Sequence, residues 1–219
     1  MINFTQVSDF TLGAYFDTGM LKYFYFMIIL CLYVLIISAN VLLIVAICMN
    51  RSLHEPMYIF LVSLFANELF GSSALFPFLL VQILSDIHTI SVPLCFLQIF
   101  CLYCYGCVEV LNLAVMSYDR YLAICYPLQY KVSMTSKKVA VLVALTWVLP
   151  SLAIVVLISL SAPLQLCGNV INRVDCGNYS IVKLACSDTR INNIYGLIYT
   201  IISIIIPLIL ILYSYMRIL

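Results

Sequence analysis

Glu68 and Glu109 are acidic residues that interrupt long apolar segments of the chain, and they are the first candidates for chemistry. An ionisable side chain deep in such a segment is costly and is by default a functional candidate. If the two segments face each other, both carboxylates cannot stay ionised without a cation or a shared proton. The pair therefore suggests an ion or proton site, with two protonated acids in structural hydrogen bonds as the alternative.

Asp119, Arg120 and Tyr121 stand together at the end of the apolar segment that contains Glu109. A charged pair at this position can hold helices in one arrangement and release them in another, which makes a local switch with a global readout. An anchor at the membrane surface is the alternative interpretation.

Among the ten cysteines, Cys101, Cys104 and Cys107 are three residues apart, as in part of an iron–sulfur ligand run. The position of the next ligand in such a run is Leu111, so we interpret the three thiols as packing groups and predict no metal site there. Four further cysteines flank or lie between apolar segments, where several disulfide pairings are open: Cys95, Cys167, Cys176 and Cys186.

Enzymatic motifs are missing from the sequence, which has no H-E-x-x-H, no phosphate-cradling glycine loop and no nucleophile elbow. We therefore expect no enzyme and no catalytic residues. A net charge of +1 also provides no basic face, so we expect no nucleic-acid partner.

Membrane-spanning helices must position these candidates, because the composition excludes water as the main solvent. The chain is 65% hydrophobic and 9% charged, whereas a soluble domain is about 25% charged. Segments of about 20 apolar residues are long enough to span a bilayer as helices. Five such spans are predicted, at about 23–49, 57–84, 92–118, 139–161 and 191–216. The fold class is therefore an all-α, multi-pass integral membrane protein in contact with membrane lipid.

Two signals predict that the N-terminus lies outside. In that orientation six Lys and Arg residues lie on the inner side and four on the outer side, a modest positive-inside bias. Glycosylation acceptors at Asn3 and Asn178 then fall on the lumenal side, together with the loop cysteines. We expect residues 1–22 to form an extracellular tail and residues 23–219 to form the transmembrane bundle.

Several strings resemble the odorant receptors, a branch of the rhodopsin-like G-protein-coupled receptors. Met116–Cys125 resembles the inner end of the family's third helix, and Leu53–Tyr58 resembles its first inner loop. The other matching positions are Asn40, Trp147, Lys183–Thr189, Pro207 and Tyr213–Tyr215. Two features depart from the family: Glu68 stands where its second helix has an aspartate, and the chain ends after the fifth of seven expected helices.

The resemblance implies a cell-membrane receptor with a small organic odorant and a heterotrimeric G protein as partners. It implies disulfides Cys95–Cys176 and Cys167–Cys186, a G-protein switch at Asp119–Tyr121, and a sodium ion or proton at Glu68 and Glu109 with no other cofactor. The alternative is a truncated or fragmentary receptor polypeptide without signalling activity.

The candidate ligand site is predicted between the third and fifth spans, whose outer halves carry no charged residue. An apolar lining with a few hydroxyl groups is typical of small-molecule pockets, although core packing is an almost equal alternative. Positions of the family's pocket match these residues approximately: Leu102, Tyr103, Gly106, Cys107, Tyr199, Thr200 and Ser203.

Overall fold

Helices of membrane-spanning length make up most of the structure, a computed structural model that describes residues 8–15, 19–53 and 55–219. The predicted glycosylation acceptor Asn3 and His54 of the first inner loop lie outside these residues. The helices that span are α1 (Leu21–Met49), α2 (Pro56–Leu84), α3 (Val92–Cys125), α5 (Ser136–Ser161) and α7 with α8, which together cover Arg190–Ile218. Five helices among the described residues are long and apolar enough to cross a membrane, which confirms the predicted number.

Short elements complete the chain at both ends of the bundle. A 3-10 turn, Arg51–Leu53, and the helix α4, Pro127–Ser133, lie in two of the connections. The helix α6, Asn178–Lys183, lies in the long connection before α7. In the last span, α7 (Arg190–Thr200) and α8 (Ile206–Ile218) are joined by a π-helix, Ile201–Ile205.

Polar side chains of the bundle lie in its interior beside apolar ones, while the outer faces of the helices are apolar, because lipid is the solvent. The side chains of Asn67, Asn112 and Asp119 are fully buried, whereas Leu42 and Leu152 on the outer helix faces are 68% and 60% exposed. A polar group left unpaired in hydrocarbon is costly, so the chain turns its polar residues toward neighbouring helices. Helix α3 contacts α2, α5 and α8 and is therefore the central helix of the bundle.

Gly71 allows α2 and α3 to approach each other closely. A Cβ atom at this position would overlap the ring of Tyr105 on α3. Small residues at helix crossings have this role in membranes, where packing rather than the hydrophobic effect holds helices together.

A small sheet, which the helical hydropathy pattern does not predict, covers one end of the bundle. Strand β1 (Asp9–Leu12) pairs antiparallel with β2 (Thr89–Ser91) and parallel with β3 (Val170–Ile171). The side chains of Phe10 and Ile99 are buried together in the core beneath the sheet.

Aromatic contacts fix the tail residues beyond β1. Tyr15 stacks on His88 with 4.5 Å between ring centroids, and its hydroxyl donates to the Val174 carbonyl at 2.9 Å. Burial, and secondarily the nearby Asp175 carboxylate, raise the pKa of Tyr15 to about 12. Its hydroxyl therefore stays protonated and can donate throughout the physiological pH range.

Two disulfides hold the long connection before α7 in place. Cys95, at the beginning of α3, is bonded to Cys176, and Cys167 is bonded to Cys186. This is the pairing that the resemblance implies. Beside the first disulfide, the Cys176 N–H donates to Oε1 of the buried Gln98 at 2.9 Å.

Replacing Cys95 or Cys176 by Ser is expected to lower surface expression severalfold, whereas Cys101→Ser and Cys104→Ser are expected to have small effects. The first pair closes a separation of 81 residues, and loss of such a bond costs about 2–5 kcal/mol. The second pair only packs against other helices. Flow cytometry of an epitope-tagged chain measures the difference, and equal losses for all four variants would contradict the structural assignment.

Candidate functional site

A cavity of about 680 Å³ lies between α3, α5, α6 and α7. Its volume falls within the range of small-molecule sites, roughly 300–1,000 Å³. Helix α3 contributes Leu102, Tyr103, Gly106 and Cys107, and the loop helix α6 contributes Asn178, Tyr179 and Val182. The remaining lining residues are Leu157, Asn192, Asn193, Gly196, Leu197, Tyr199, Thr200 and Ile204. In the described part of the chain, no charged side chain lines this cavity.

Most polar groups of the lining are paired within the protein. The Cys107 thiol and the Tyr199 hydroxyl are 2.7 Å apart and join α3 to α7. The Thr200 hydroxyl donates to the Gly196 carbonyl at 2.9 Å, and Nδ2 of Asn192 donates to a carbonyl of α5 at 2.8 Å. These bonds leave an uncharged surface with few free hydrogen-bonding groups.

Six of the seven residues that the sequence suggests for the ligand site line the cavity, and Ser203 does not. The π-helix Ile201–Ile205, in which hydrogen bonds run from residue i to i+5, follows Thr200 directly. Ile204 of this segment lines the cavity, while the Ser203 side chain lies beside Cys107, a lining residue of α3.

The sequence analysis missed the contribution of α6 to the cavity. Asn178, Tyr179 and Val182 lie in a loop whose position depends on the Cys95–Cys176 disulfide and not on hydropathy. The only available signal was their proximity to Cys176 in the sequence. The Asn178 side chain, predicted as a glycosylation acceptor, is 6% exposed.

Glu68 and Glu109 lie close together between α2 and α3. The Tyr105 hydroxyl donates to Glu68 Oε1 at 3.2 Å, and Asn67 Nδ2 donates to Glu109 Oε2 at 3.1 Å. Two carboxyl groups that are near each other inside the bundle cannot both stay ionised without a cation or a shared proton.

The same group of residues also fits a sodium ion. Asn67 Oδ1 is buried without a hydrogen-bond donor among the described residues, and Nδ2 of the same amide donates to Glu109. Oxygen atoms of carboxylates and amides are the ligands that hard cations prefer. These three residues would hold the ion, and its charge would compensate that of the carboxylates.

At the other end of α3, the buried Asp119 carboxylate has two partners. Arg120 Nη2 donates to its Oδ2 at 2.6 Å, and the Tyr130 hydroxyl donates to its Oδ1 at 2.7 Å. Tyr121 contacts Tyr126 edge to face, with 5.7 Å between ring centroids. The charged pair is therefore locked by α4, whose Tyr130 the sequence analysis did not identify.

Tyr130 remains a donor under physiological conditions. Burial, and secondarily the hydrogen bond to Asp119, raise the pKa of Tyr130 to about 12. Because the folded pKa lies above the ordinary value, this hydrogen bond is present below about pH 10 and is lost as the pH rises through about 12.

Residues 39–219, which include α2, α3, the cavity and both acidic sites, match the sequence profile described as 7 transmembrane receptor (rhodopsin family). The chain belongs to this family. It is 40% identical to the human Olfactory receptor 11A1 over 213 residues, which cover 97% of this chain and 67% of the relative. It is 36% identical to the human Olfactory receptor 10T2, with coverages of 96% and 68%.

A mouse relative, Olfactory receptor 6E1, is 37% identical over 90% of this chain and 64% of its own length. The chain thus spans about two thirds of the length of these olfactory receptors. Membership makes it a multi-pass membrane protein of a receptor family rather than an enzyme family.

Tyr130→Phe is expected to lower the thermal stability of the detergent-solubilised protein, because a buried carboxylate loses one of its hydrogen bonds. The cost is about 1.5–3 kcal/mol for a hydrogen bond to a charged group. Tyr213→Phe, at a tyrosine of α8 that is 54% exposed, is the matched control. A melting temperature lowered equally by the two substitutions, or by neither, would show that the contact with Asp119 does not stabilise the fold.

Proposed function

We propose that the chain acts as an odorant receptor: a small, uncharged organic molecule binds in the cavity, and the Asp119–Tyr121 segment becomes competent to activate a heterotrimeric G protein. The observation that carries this proposal is the uncharged cavity of about 680 Å³ on the central helix α3, whose other end holds the Asp119–Arg120 pair. Similarity to the olfactory receptors supports the same conclusion.

Helix α3 provides the connection between the two sites. Cys107 lines the cavity, Glu109 is two positions further along, and Arg120 follows about three helical turns later. Ligand binding shifts a two-state equilibrium only by its differential affinity for the two states. A small displacement of α3 or α7 at the Cys107–Tyr199 contact would supply this difference and reach Asp119 through one rigid helix.

Glu68, Glu109 and Asn67 are proposed to form an ion or proton site that biases the same equilibrium. Their position between α2 and α3 places them in the interior of the bundle. A sodium ion bound there would neutralise the carboxylates, and a proton would have the same effect on one of them. Either would stabilise the arrangement of α2 and α3 in which these groups meet.

We propose further that the tail of residues 1–22 lies outside the cell. Strand β1 of the tail belongs to the same sheet as β3, in the long connection that carries Cys167, Cys176 and Cys186. Disulfides form and persist on the oxidising side of the membrane, which supports this orientation.

The orientation is tested by glycosylation mapping of the chain expressed in mammalian cells. A natural or engineered acceptor near Asn3 is expected to receive a glycan, whereas an acceptor appended after Leu219 is expected to remain unmodified. A glycan on the appended acceptor with none at Asn3 would show that the topology is the reverse of the one proposed.

Glu109→Gln and Arg120→Ala are expected to reach the cell surface and to change signalling severalfold. Gln keeps the size and hydrogen bonding of Glu109 but loses its charge, so the resting equilibrium shifts while packing survives. Arg120→Ala removes the partner of Asp119 at the proposed G-protein surface and is expected to abolish coupling.

The measurement is cAMP output normalised to surface protein, in the chain itself and in the chain joined to the part of Olfactory receptor 11A1 that it does not cover. Glu55→Gln, at an exposed glutamate outside the bundle interior, is the matched control. Retention of both variants inside the cell would show that the two residues act in folding. Signalling like that of the parent by both variants would also refute the switch.

A further inference from the structure

Asn178 differs from the other polar residues that line the cavity. Its Oδ1 atom is buried and has no hydrogen-bond partner among the described residues, whereas no other lining residue has such an unpaired buried atom in that part of the chain. A buried acceptor without a donor lowers the stability of the folded protein. A ligand that supplies the donor would remove this cost.

Tyr103 stands beside Asn178 and complements it. The Tyr103 hydroxyl accepts the Asn178 backbone N–H at 3.2 Å and donates to no acceptor among the described residues. The planar amide of Asn178 can present its oxygen to the cavity by rotation about χ2, a torsion with broad preferences. The two side chains therefore offer one acceptor and one donor at the same end of the cavity.

We propose that Asn178 and Tyr103 form a recognition site for the hydroxyl group of a neutral alcohol. A hydroxyl group both donates and accepts, so it satisfies the Asn178 oxygen and the Tyr103 proton together. An ether or a ketone can only accept, and it leaves the Asn178 oxygen unpaired. A carboxylate or an ammonium ion would meet no counter-charge in the lining of the described chain. This inference rests on the proposed function and names the chemical class of its ligand.

The same geometry bears on the glycosylation sequence Asn178-Tyr179-Ser180. With 6% of its surface exposed, the Asn178 side chain faces the cavity, and a glycan on Nδ2 would occupy the space of the ligand. The proposal therefore requires that Asn178 carry no glycan in the folded protein. Tyr179, its neighbour, also lines the cavity but is 62% exposed.

Ser180→Ala provides a matched control, because it destroys the glycosylation sequence and keeps the Asn178 amide. Asn178→Leu removes the amide and keeps the number and branching of the side-chain heavy atoms, and Tyr103→Phe removes only the hydroxyl group. Comparing these three variants separates a role of the amide in binding from a role of Asn178 as a glycan carrier.

Binding is measured on the purified chain in lipid nanodiscs as the concentration-dependent rise in melting temperature, which reports affinity by mass action. The probes are n-octanol, cyclohexylethanol and benzyl alcohol, each compared with its own methyl ether. The parent and Ser180→Ala are expected to prefer at least one alcohol to its ether. Asn178→Leu is expected to lower the affinity for that alcohol about threefold to tenfold, the effect of one hydrogen bond, and to leave the ether unchanged. Tyr103→Phe is expected to weaken both.

A second test is glycosidase treatment of three cell-expressed proteins: the parent, Asn3→Gln and Ser180→Ala. This test does not depend on whether an Asn178 variant folds. The parent and Ser180→Ala are expected to show the same glycosidase-sensitive mobility. A glycan lost with Ser180→Ala, or an alcohol preference that survives Asn178→Leu, overturns this inference and leaves the receptor function intact. A parent that binds none of the six probes overturns both the inference and the ligand-binding part of the proposed function.

Discussion

The disulfide between Cys95 and Cys176 is the interaction on which the outer half of the molecule depends. It fixes the long connection to the beginning of α3, and the Cys176 N–H to Gln98 bond holds the adjoining backbone in register. Asn178 begins α6 two residues later, so the bond also determines what covers the cavity. Strand β3 belongs to the same connection and supplies one partner of β1. Without this bond, β3 and α6 would lose the covalent link that joins their connection to α3.

Lipid as solvent sets the second constraint, which acts in the interior of the bundle. Apolar surface gains little by moving from lipid into protein, so close packing and polar contacts must hold the helices together. The approach of α2 to α3 at Gly71 supplies the packing, and the nearby Asn67, Tyr105 and Glu109 supply the hydrogen bonds. The acidic pair is thus also part of the α2–α3 interface. Glu109→Gln preserves hydrogen bonding at this interface.

The proposed ligand site and the proposed G-protein switch both include residues of α3, and this has a mechanical consequence. Cys107 contacts α7 at the cavity, while Asp119 contacts Tyr130 of α4 at the other end. A rigid helix held at both ends transmits a rotation or a shift without any change in its own structure. The π-helix in the last span lies next to the cavity, and the irregular hydrogen bonding of such a segment lets a helix change its local twist at modest cost.

The sequence by itself determined the solvent, the number of spanning helices and the receptor family, because apolar runs of bilayer length and long matching strings are local features. All four cavity residues on α3 were predicted, from the lack of charge in the outer half of the third span and from the resemblance to the family's pocket. Only the tertiary structure decided that Ile204 lines the cavity, that α6 closes it, and that Tyr130 binds Asp119. These three outcomes depend on a change in helix type, on a disulfide and on a loop contact. Each brings together residues whose sequence positions carry no periodic signal, so the folded chain alone could establish them.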